Sequence, residues 1–552
     1  MMDGKKTDSQ AWRRKPRKFA PKSRLGCKTC KYVGLMFKDL ADIPRIRQIK
    51  CDLSRPSCLI CVSTGRACDG YNAYKTEIAD RGDSCDSAKC HLQNLGSFMV
   101  LPATEPAQAE AMCFFRDISI KHLNEYRPCE AWRDTLMFFS QTVPSVRHAA
   151  IALALMHRHY LDCQNDSRVY QPPALKDRLS DKTPLLHYNR AIQLLLNTES
   201  GDTETTAVTL LVCYLFTCFD HLAGDDVQAM KHLRGGVALS CEVGNSISNK
   251  YTHDPQSSGV CAVISQVTEQ IRRLDMQAVM FLVDWTPANI EQTFTSLALP
   301  GNNAFRSVDQ AADYLQILIA QVMRLRNTEQ QMSPTGTMPA LPSPLKDLVL
   351  TQLETWKRLF ETLLRSSNSD SDSETQTDPL VPLLRLQHTT AYILLRGYGS
   401  PGRETDYDKF LPQFRQCVVL ADEVAAARHR HYSSSMSTFT PEIGFIPVLY
   451  IIGAKCRHPT VRREVLRILR ARLIREATWD SFSTARVVER VIDIEEGGQV
   501  GQCMGMDQIP VWCRIETLSF IHIPGRGSPA SLDIEYTFCG LEGIHTESVM
   551  IE

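Results

Sequence analysis

The sequence predicts a mostly α fold in two parts, a small cysteine-rich module near the N-terminus and a large all-helical region behind it. Three observations carry that expectation. Six of the 20 cysteines fall within residues 27–68. Helical periodicity takes over from about Ala107 onward. Charge is divided unevenly: residues 1–70 hold 17 Lys/Arg against 6 Asp/Glu, although the whole chain carries 62 of each. A basic head on an acidic body points to a polyanion as partner for the head alone.

A chain of 552 residues has room for a small module plus one large or two medium domains. With 43% hydrophobic and 22% charged residues it has the balance of a soluble globular protein. Met1–Lys18 is polar and basic, unlike a secretory signal. The longest apolar stretch, around Ala207–Phe219, is shorter than the roughly 18 residues of a membrane span. The expectation is a soluble intracellular protein with no membrane partner. Disulfides are rare in that compartment, so the cysteines need another account. Cys213 and Cys218 lie in apolar runs, where a free cysteine behaves as a small hydrophobe.

Residues 1–25 read as a basic disordered tail, 26–70 as the cysteine module and 71–105 as a linker of Asp, Ser, Gly and Ala. Residues 106–552 form the helical region. Val146, Ala150, Leu153 and Tyr160 share one helix face, as do Val461, Val465, Ile468 and Arg472, with Leu469 alongside. Gly224-Asp225-Asp226 reads as a turn and N-cap ahead of a Val227–Leu233 helix, and Pro459-Thr460 starts another. Residues 333–345 are rich in Pro, Ser and Thr. Residues 366–378 are an acidic Ser/Thr run, too hydrophilic to pack, and read as a disordered loop. Strand signals are weak except at Val511–Ile523 and Leu532–Phe538.

The cysteines run Cys27-x2-Cys30, then twenty residues, then Cys51-x6-Cys58-x2-Cys61-x6-Cys68. Thiolates are soft ligands, and tetrahedral sulfur sites favour zinc. A C-x2-C pair can grip one metal with both sulfurs. Six thiolates supply eight ligand positions only when two of them bridge, which fits two four-coordinate Zn2+ ions. Reactive or merely buried thiols would not explain two matching half-motifs.

The stretch from Arg24 to Tyr71, LGCKTC…IKCDLSRPSCLICVSTGRACDGY, resembles the DNA-binding domain of fungal zinc binuclear-cluster (Zn2Cys6) transcription factors. Lys50-Cys51-Asp52 matches the family's basic residue, third cysteine and acid, and Pro56 matches its loop proline. The resemblance implies two short helix-loop halves around two structural zinc ions, with Cys27 and Cys58 as the bridging ligands. It also implies double-stranded DNA as partner and the nucleus as location. In the family, the segment after the second cysteine is a short helix that enters the major groove. Its residues here are Lys31, Ile46, Arg47, Gln48, Ile49 and Lys50. Arg47 and Lys50 are placed to reach guanine O6 and N7. Gln48 stands where family members often carry a basic residue.

One departure from the family falls in that helix. The family has six residues between the second and third cysteines, and this chain has twenty. Deleting Tyr32–Arg45 (YVGLMFKDLADIPR) restores the family spacing. The codons for Lys31-Tyr32-Val33 can hold GTATGT, those for Leu40-Ala41-Asp42 a GCTGAC, and those for Pro44-Arg45 a terminal CAG. The insert is therefore read as a translated intron of fourteen codons. The other reading is a genuine insertion that loops out of the cluster.

Trp12–Arg24 (WRRKPRKFAPKSR) adds a basic flank. Arg13, Arg14, Lys15, Arg17 and Lys18 can neutralise phosphates or serve as a nuclear import signal; the alternative is a solvated tail. Residues 138–160, 209–239, 273–281 and 456–496 also resemble the fungal-specific transcription factor regulatory domain. That resemblance implies an all-helical regulatory domain that senses a metabolite or contacts the transcription machinery or co-regulators.

Enzymatic chemistry has little support. There is no Gly-rich phosphate loop and no Rossmann fingerprint. His157/His159 and His429/His431 are spaced i, i+2, on different sides of a helix, and read as solvated or capping residues. Phe114-Phe115, Trp479, Met276 and Met280 read as core. Gly82-Asp83-Ser84 superficially matches a hydrolase motif but lies in the linker. Two readings remain: a sequence-specific DNA-binding regulator, and a helical interaction protein whose zinc cluster is disrupted by the insert. The linker shows no sustained heptad, which leaves monomer and homodimer open.

The intron reading is checked on transcripts. Amplification of cDNA across the codons for residues 25–75 should yield a product shorter by fourteen codons, joining Lys31 to Ile46. Transcripts that all retain Tyr32–Arg45, from a gene lacking the splice signals, would contradict it.

Overall fold

A computed structural model describes residues 105–550, apart from 167–180, 198–202, 250–256, 296–304, 333–343, 368–377, 398–402, 432–437, 498–504 and 524–530. All of these lie in the second of two units into which the chain divides, Cys85–Glu552. The cysteine module, the basic tail, the insert and the linker fall outside the described residues. So do residues 333–343 and 368–377 of the two polar stretches.

Helices dominate because apolar residues recur at helical spacing along most of the body. In the first half, α1 (Pro106–Phe114) runs through a π-helical turn (Phe115–Ser119) into a last turn at Ile120–His122. It is followed by α2 (Glu130–Thr142), α3 (Pro144–Asp166), α4 (Thr183–Leu196), α5 (Thr203–Ala223), α6 (Asp226–Asn249) and α7 (Ser257–Gln277). A 3-10 turn at Ala278–Met280 ends α7. These helices enclose one core, with Val146, Ala150, Leu153 and Tyr160 of α3 all buried in it, as their spacing predicts. Gly224 adopts φ 76°, and the Asp225 carboxylate accepts the Gln228 N–H at 3.1 Å, so the predicted turn and cap precede α6. Helix α5 is long and apolar enough to cross a membrane, more than its sequence run suggested. However, 83% of its apolar window is buried inside the protein, as expected of a central core helix.

The second half holds α8 (Ile290–Thr295), α9 (Val308–Met332), α10 (Pro344–Ser367), α11 (Leu380–Gly397) and α12 (Leu411–His431). It continues with α13 (Ile446–Lys455), α14 (Pro459–Ala471) and α15 (Ser481–Glu495). A second core lies among them. Helix α14 starts at Pro459, as predicted, and buries Val461, Val465, Ile468 and Leu469. Arg472 lies just past its end, extended, rather than on that face.

The region is not all-helical, although 75% of the described residues are helical. Strands β1 (Thr438–Thr440), β2 (Ile474–Glu476) and β3 (Trp479–Asp480) form a small sheet, with β1 parallel and β3 antiparallel to β2. Strands this short leave no period-2 signal in the sequence. The second sheet is antiparallel, in the order β4 (Ile515–Ile523), β5 (Ser531–Phe538), β6 (His545–Met550). Two of its strands were predicted, but Val511–Cys513 is a 3-10 turn and β4 starts only at Ile515. Strand β6 went unpredicted because its residues are mostly exposed and lack an apolar face. Leu532, Ile534 and Tyr536 point from β5 onto Val487 and Val491 of α15.

A buried ion network fastens this sheet to the helices. Arg457 and Arg462, both fully buried, meet the Glu495 carboxylate of α15, with Arg457 Nη2 at 2.8 Å. The same carboxylate accepts the Ile515 N–H at 2.8 Å, and Lys455 Nζ donates to the Glu516 carbonyl at 2.9 Å. Burial disfavours the ionised carboxylate, but Arg457 and Arg462 overcome it and hold Glu495 down at about 2. A depressed carboxyl stabilises the fold above the ordinary carboxylate range, and that stability is lost as pH falls toward 2.

Candidate functional site

The residues predicted to bind metal (Cys27, Cys30, Cys51, Cys58, Cys61 and Cys68) lie outside the described residues. So do those predicted to read DNA (Lys31, Arg47, Gln48 and Lys50) and the basic flank at Arg13, Arg14, Lys15, Arg17 and Lys18. Among the described residues, two features combine concealed chemistry with a central position. Both lie at the seam where the first core meets the second.

The first is a buried cluster of charge. Strand β2 alternates sides, so Arg475 and Glu476 face opposite ways. Arg475 donates to the His221 carbonyl at 2.6 Å and the Leu222 carbonyl at 3.2 Å. It thereby satisfies carbonyls at the C-terminal end of α5, where a cation is electrostatically favoured. On the other side, Glu476 accepts the Gly444 N–H at 2.8 Å and the Phe445 and Ile446 N–H groups at 3.2 Å each. The Tyr126 phenol donates to Glu476 and accepts from Arg428, and Arg428 Nη2 reaches Glu125 at 2.6 Å. Glu442 accepts the Tyr126 N–H at 2.9 Å. Gly444 has no substitute here, because a Cβ would sit 2.0 Å from the Tyr126 ring.

The second feature is a cavity of about 560 Å³, counting the part open to solvent. It is walled by α7 and its 3-10 turn from the first half and by α9, α11 and the start of α13 from the second. Met276, Met280, Ile319, Met323, Leu394 and Ile451 supply much of its apolar wall. Met276 is buried, as predicted for core, whereas Met280 is half-buried at the cavity.

Other polar groups are structural. His157 is 2% exposed rather than solvated, which corrects the reading from its spacing. Its Nε2 lies 3.2 Å from His122 Nδ1, and its Nδ1 lies 3.1 Å from Ser119 Oγ. Burial holds His157 down at about 3, so the pair is neutral, with one ring donating to the other. The side chains of His429 and His431 lie outside the described residues. Tyr188 bonds Asp220 at 3.0 Å and His232 at 2.7 Å, tying α4, α5 and α6 together. Cys218 is buried with its thiol pushed well above the ordinary range by burial, as a small hydrophobe should be. Trp479 is core, packed 5.2 Å from Tyr450 and 5.6 Å from Phe520. Among the described residues, no three His, Cys, Asp or Glu side chains gather as a metal site.

Sequence reasoning missed the seam. Its signal was faint but present: Glu442 is the lone charge in FTPEIGFIPVLYIIGA. A single charge in an apolar run needs a buried partner.

The cluster holds three carboxyls, Glu125, Glu442 and Glu476, around Arg428. Burial pushes Glu125 up to about 7, against the pull of Arg428. Its Oε1 is buried with no hydrogen-bond partner among the described residues. A carboxyl raised in the fold keeps a proton that the unfolded chain has released. Its contribution therefore costs stability as pH rises from about 4.5 to about 7. Glu125→Gln should flatten that part of the stability profile, so that less stability is lost between about pH 4.5 and 7 than in the parent. Denaturant unfolding across the pH range checks this, and a profile identical to the parent would contradict it.

Residues 112–282 match the fungal specific transcription factor domain. The matched segment takes in most of the first half, from α1 through the turn after α7. The chain is 23% identical to an aspercryptin biosynthesis cluster-specific transcription regulator of Emericella nidulans, over 89% of this chain and 90% of that protein. It is 26% identical to a transcription regulator of Purpureocillium lilacinum, over 36% of this chain and 48% of that protein. No solved structure matches. The domain and these relatives support a fungal specific transcription factor.

Proposed function

We propose that this chain is a sequence-specific DNA-binding regulator of RNA polymerase II genes, acting in the nucleus through a two-zinc, six-cysteine module. The observation that carries this reading is the union in one chain of the Cys27–Cys68 pattern with a fungal specific transcription factor domain. The donor set suits the metal: six soft thiolates can close two tetrahedral zinc sites when two of them bridge. Zinc supplies folding free energy to a module too small to draw it from an apolar core. Cys27, Cys30, Cys51, Cys58, Cys61 and Cys68 hold the ions. Arg47 and Lys50 meet guanine edges, with Lys31 and Gln48 beside them. Arg13, Arg14, Lys15, Arg17 and Lys18 contact phosphates or direct nuclear import. The helical body is the non-enzymatic control element and contacts the transcription machinery or co-regulators. Because the relative spanning nearly the whole chain is named for a biosynthesis cluster, genes of one biosynthetic cluster are the proposed targets.

One observation favours a second reading. The insert at Tyr32–Arg45 breaks the segment that would read DNA, with Pro44 inside it. A chain that keeps the insert would act through its helical body alone.

Both readings are tested on the full chain, as written and lacking Tyr32–Arg45. Metal analysis should find two zinc ions per chain in the shorter form, and fewer in Cys51→Ala. That form should bind one duplex sequence over others with strong salt dependence. Arg47→Ala should cost about 1–3 kcal/mol of that preference. A shorter form holding no zinc, or binding all duplexes alike, would overturn the proposal.

A further inference from the structure

The cavity at the seam has a chemistry of its own. Its lining is apolar apart from three glutamines and a threonine, Gln277, Gln316, Gln387 and Thr390, and no charged side chain lines it. Three of the apolar residues are methionines, the side chain best able to reshape around varied contents. The space is partly open to solvent, and its flexible methionine side chains can move to widen it around a guest.

The glutamines are not equivalent. Gln277 accepts the Ile443 N–H at 3.0 Å, and Gln387 donates to the Gly444 carbonyl at 3.1 Å. Those two amides are committed to holding the 443–444 backbone. Gln316 has no hydrogen-bond partner among the described residues and borders the same space. An amide that both donates and accepts, set in an apolar wall, suits one polar end of a guest whose remainder is hydrocarbon. An ionised guest would lose its hydration with no opposite charge to meet it.

We propose that this cavity binds a small neutral molecule, mostly apolar, whose single amide- or carbonyl-type end pairs with Gln316. The guest touches both halves of the body at once, with Met276 and Met280 on one side and Ile319, Leu394 and Ile451 on the other. It also touches Ile443 and Gly444, beside the backbone groups that Glu476 holds. Occupancy therefore bears directly on how the two cores are fastened. The site stands whether or not the N-terminal module reads DNA.

The probe pair is octanamide and octanoate, titrated by calorimetry into the full-length protein at pH 7.5. Octanamide should bind saturably at one site, and octanoate at least tenfold more weakly. Met280→Trp should fill the cavity and weaken octanamide at least tenfold, with the unfolding midpoint of the parent. Gln316→Leu, a half-buried position, should weaken octanamide several-fold and erase most of its advantage over octanoate. It decides the matter should Met280→Trp not fold. Absence of saturable octanamide binding, equal binding of the carboxylate, or binding unchanged in a folded Gln316→Leu protein would each overturn the proposal.

Discussion

The described body depends on two adjacent residues of a three-residue strand. Arg475 and Glu476 are charged and buried, and they face opposite sides of β2. Arg475 closes the end of α5, the central helix of the first core. Glu476 gathers three backbone N–H groups and the Tyr126 phenol around the start of α13, in the second core. Beside them, Phe439 of β1 packs into the first core, 6.0 Å from the His157 ring. The turn after β2 places Ala477 at φ 49°, in the left-handed region that favours glycine. That cost is tolerated where the surrounding contacts fix the backbone, as the Ala477 N–H to Thr440 carbonyl bond does at 2.8 Å.

Helices were legible in the sequence because they are long and their apolar faces repeat. The α3 face, the Gly224 turn and the Pro459 start all follow from local rules. Apart from Glu442, the lone charge in its apolar run, the seam was not legible because it is built from contacts far apart in the chain. Tyr126 meets Glu476 across 350 residues, and Arg475 meets His221 across 254. A three-residue strand carries no period, and a buried charge reads locally as a surface one. His157 shows the same limit: its spacing excluded a shared metal with His159 but could not reveal His122 as its neighbour. The expected zinc and DNA ligands, legible as a pattern of spacing, lie outside the described residues.

The described body and the proposed zinc head would rest on different thermodynamics. The body closes two apolar cores. The proposed head has six thiols, many cations and little apolar surface to bury, so metal would have to fold it. A transcription regulator built this way can lose its DNA reader and keep its body. If metal folds the proposed head, the fourteen-residue stretch Tyr32–Arg45 falls in the part with no apolar core to hold it. The seam, by contrast, lies where the domain match to residue 282 gives way to the helices beyond it, and a guest there would bear on both.

The most direct test of the seam is native-state hydrogen exchange on the parent and Glu476→Ala, followed at α5 and α13 as denaturant rises. In the parent, both helices should lose protection in one step, because the two cores open together. In Glu476→Ala, with the Tyr126 phenol and three backbone N–H groups left without their acceptor and Arg428 losing one of its two carboxylates, stability should fall by about 3–5 kcal/mol and α13 should open before α5. If Glu476→Ala still opens in a single step, with a shift no larger than that of a surface substitution, the seam does not hold the two cores together.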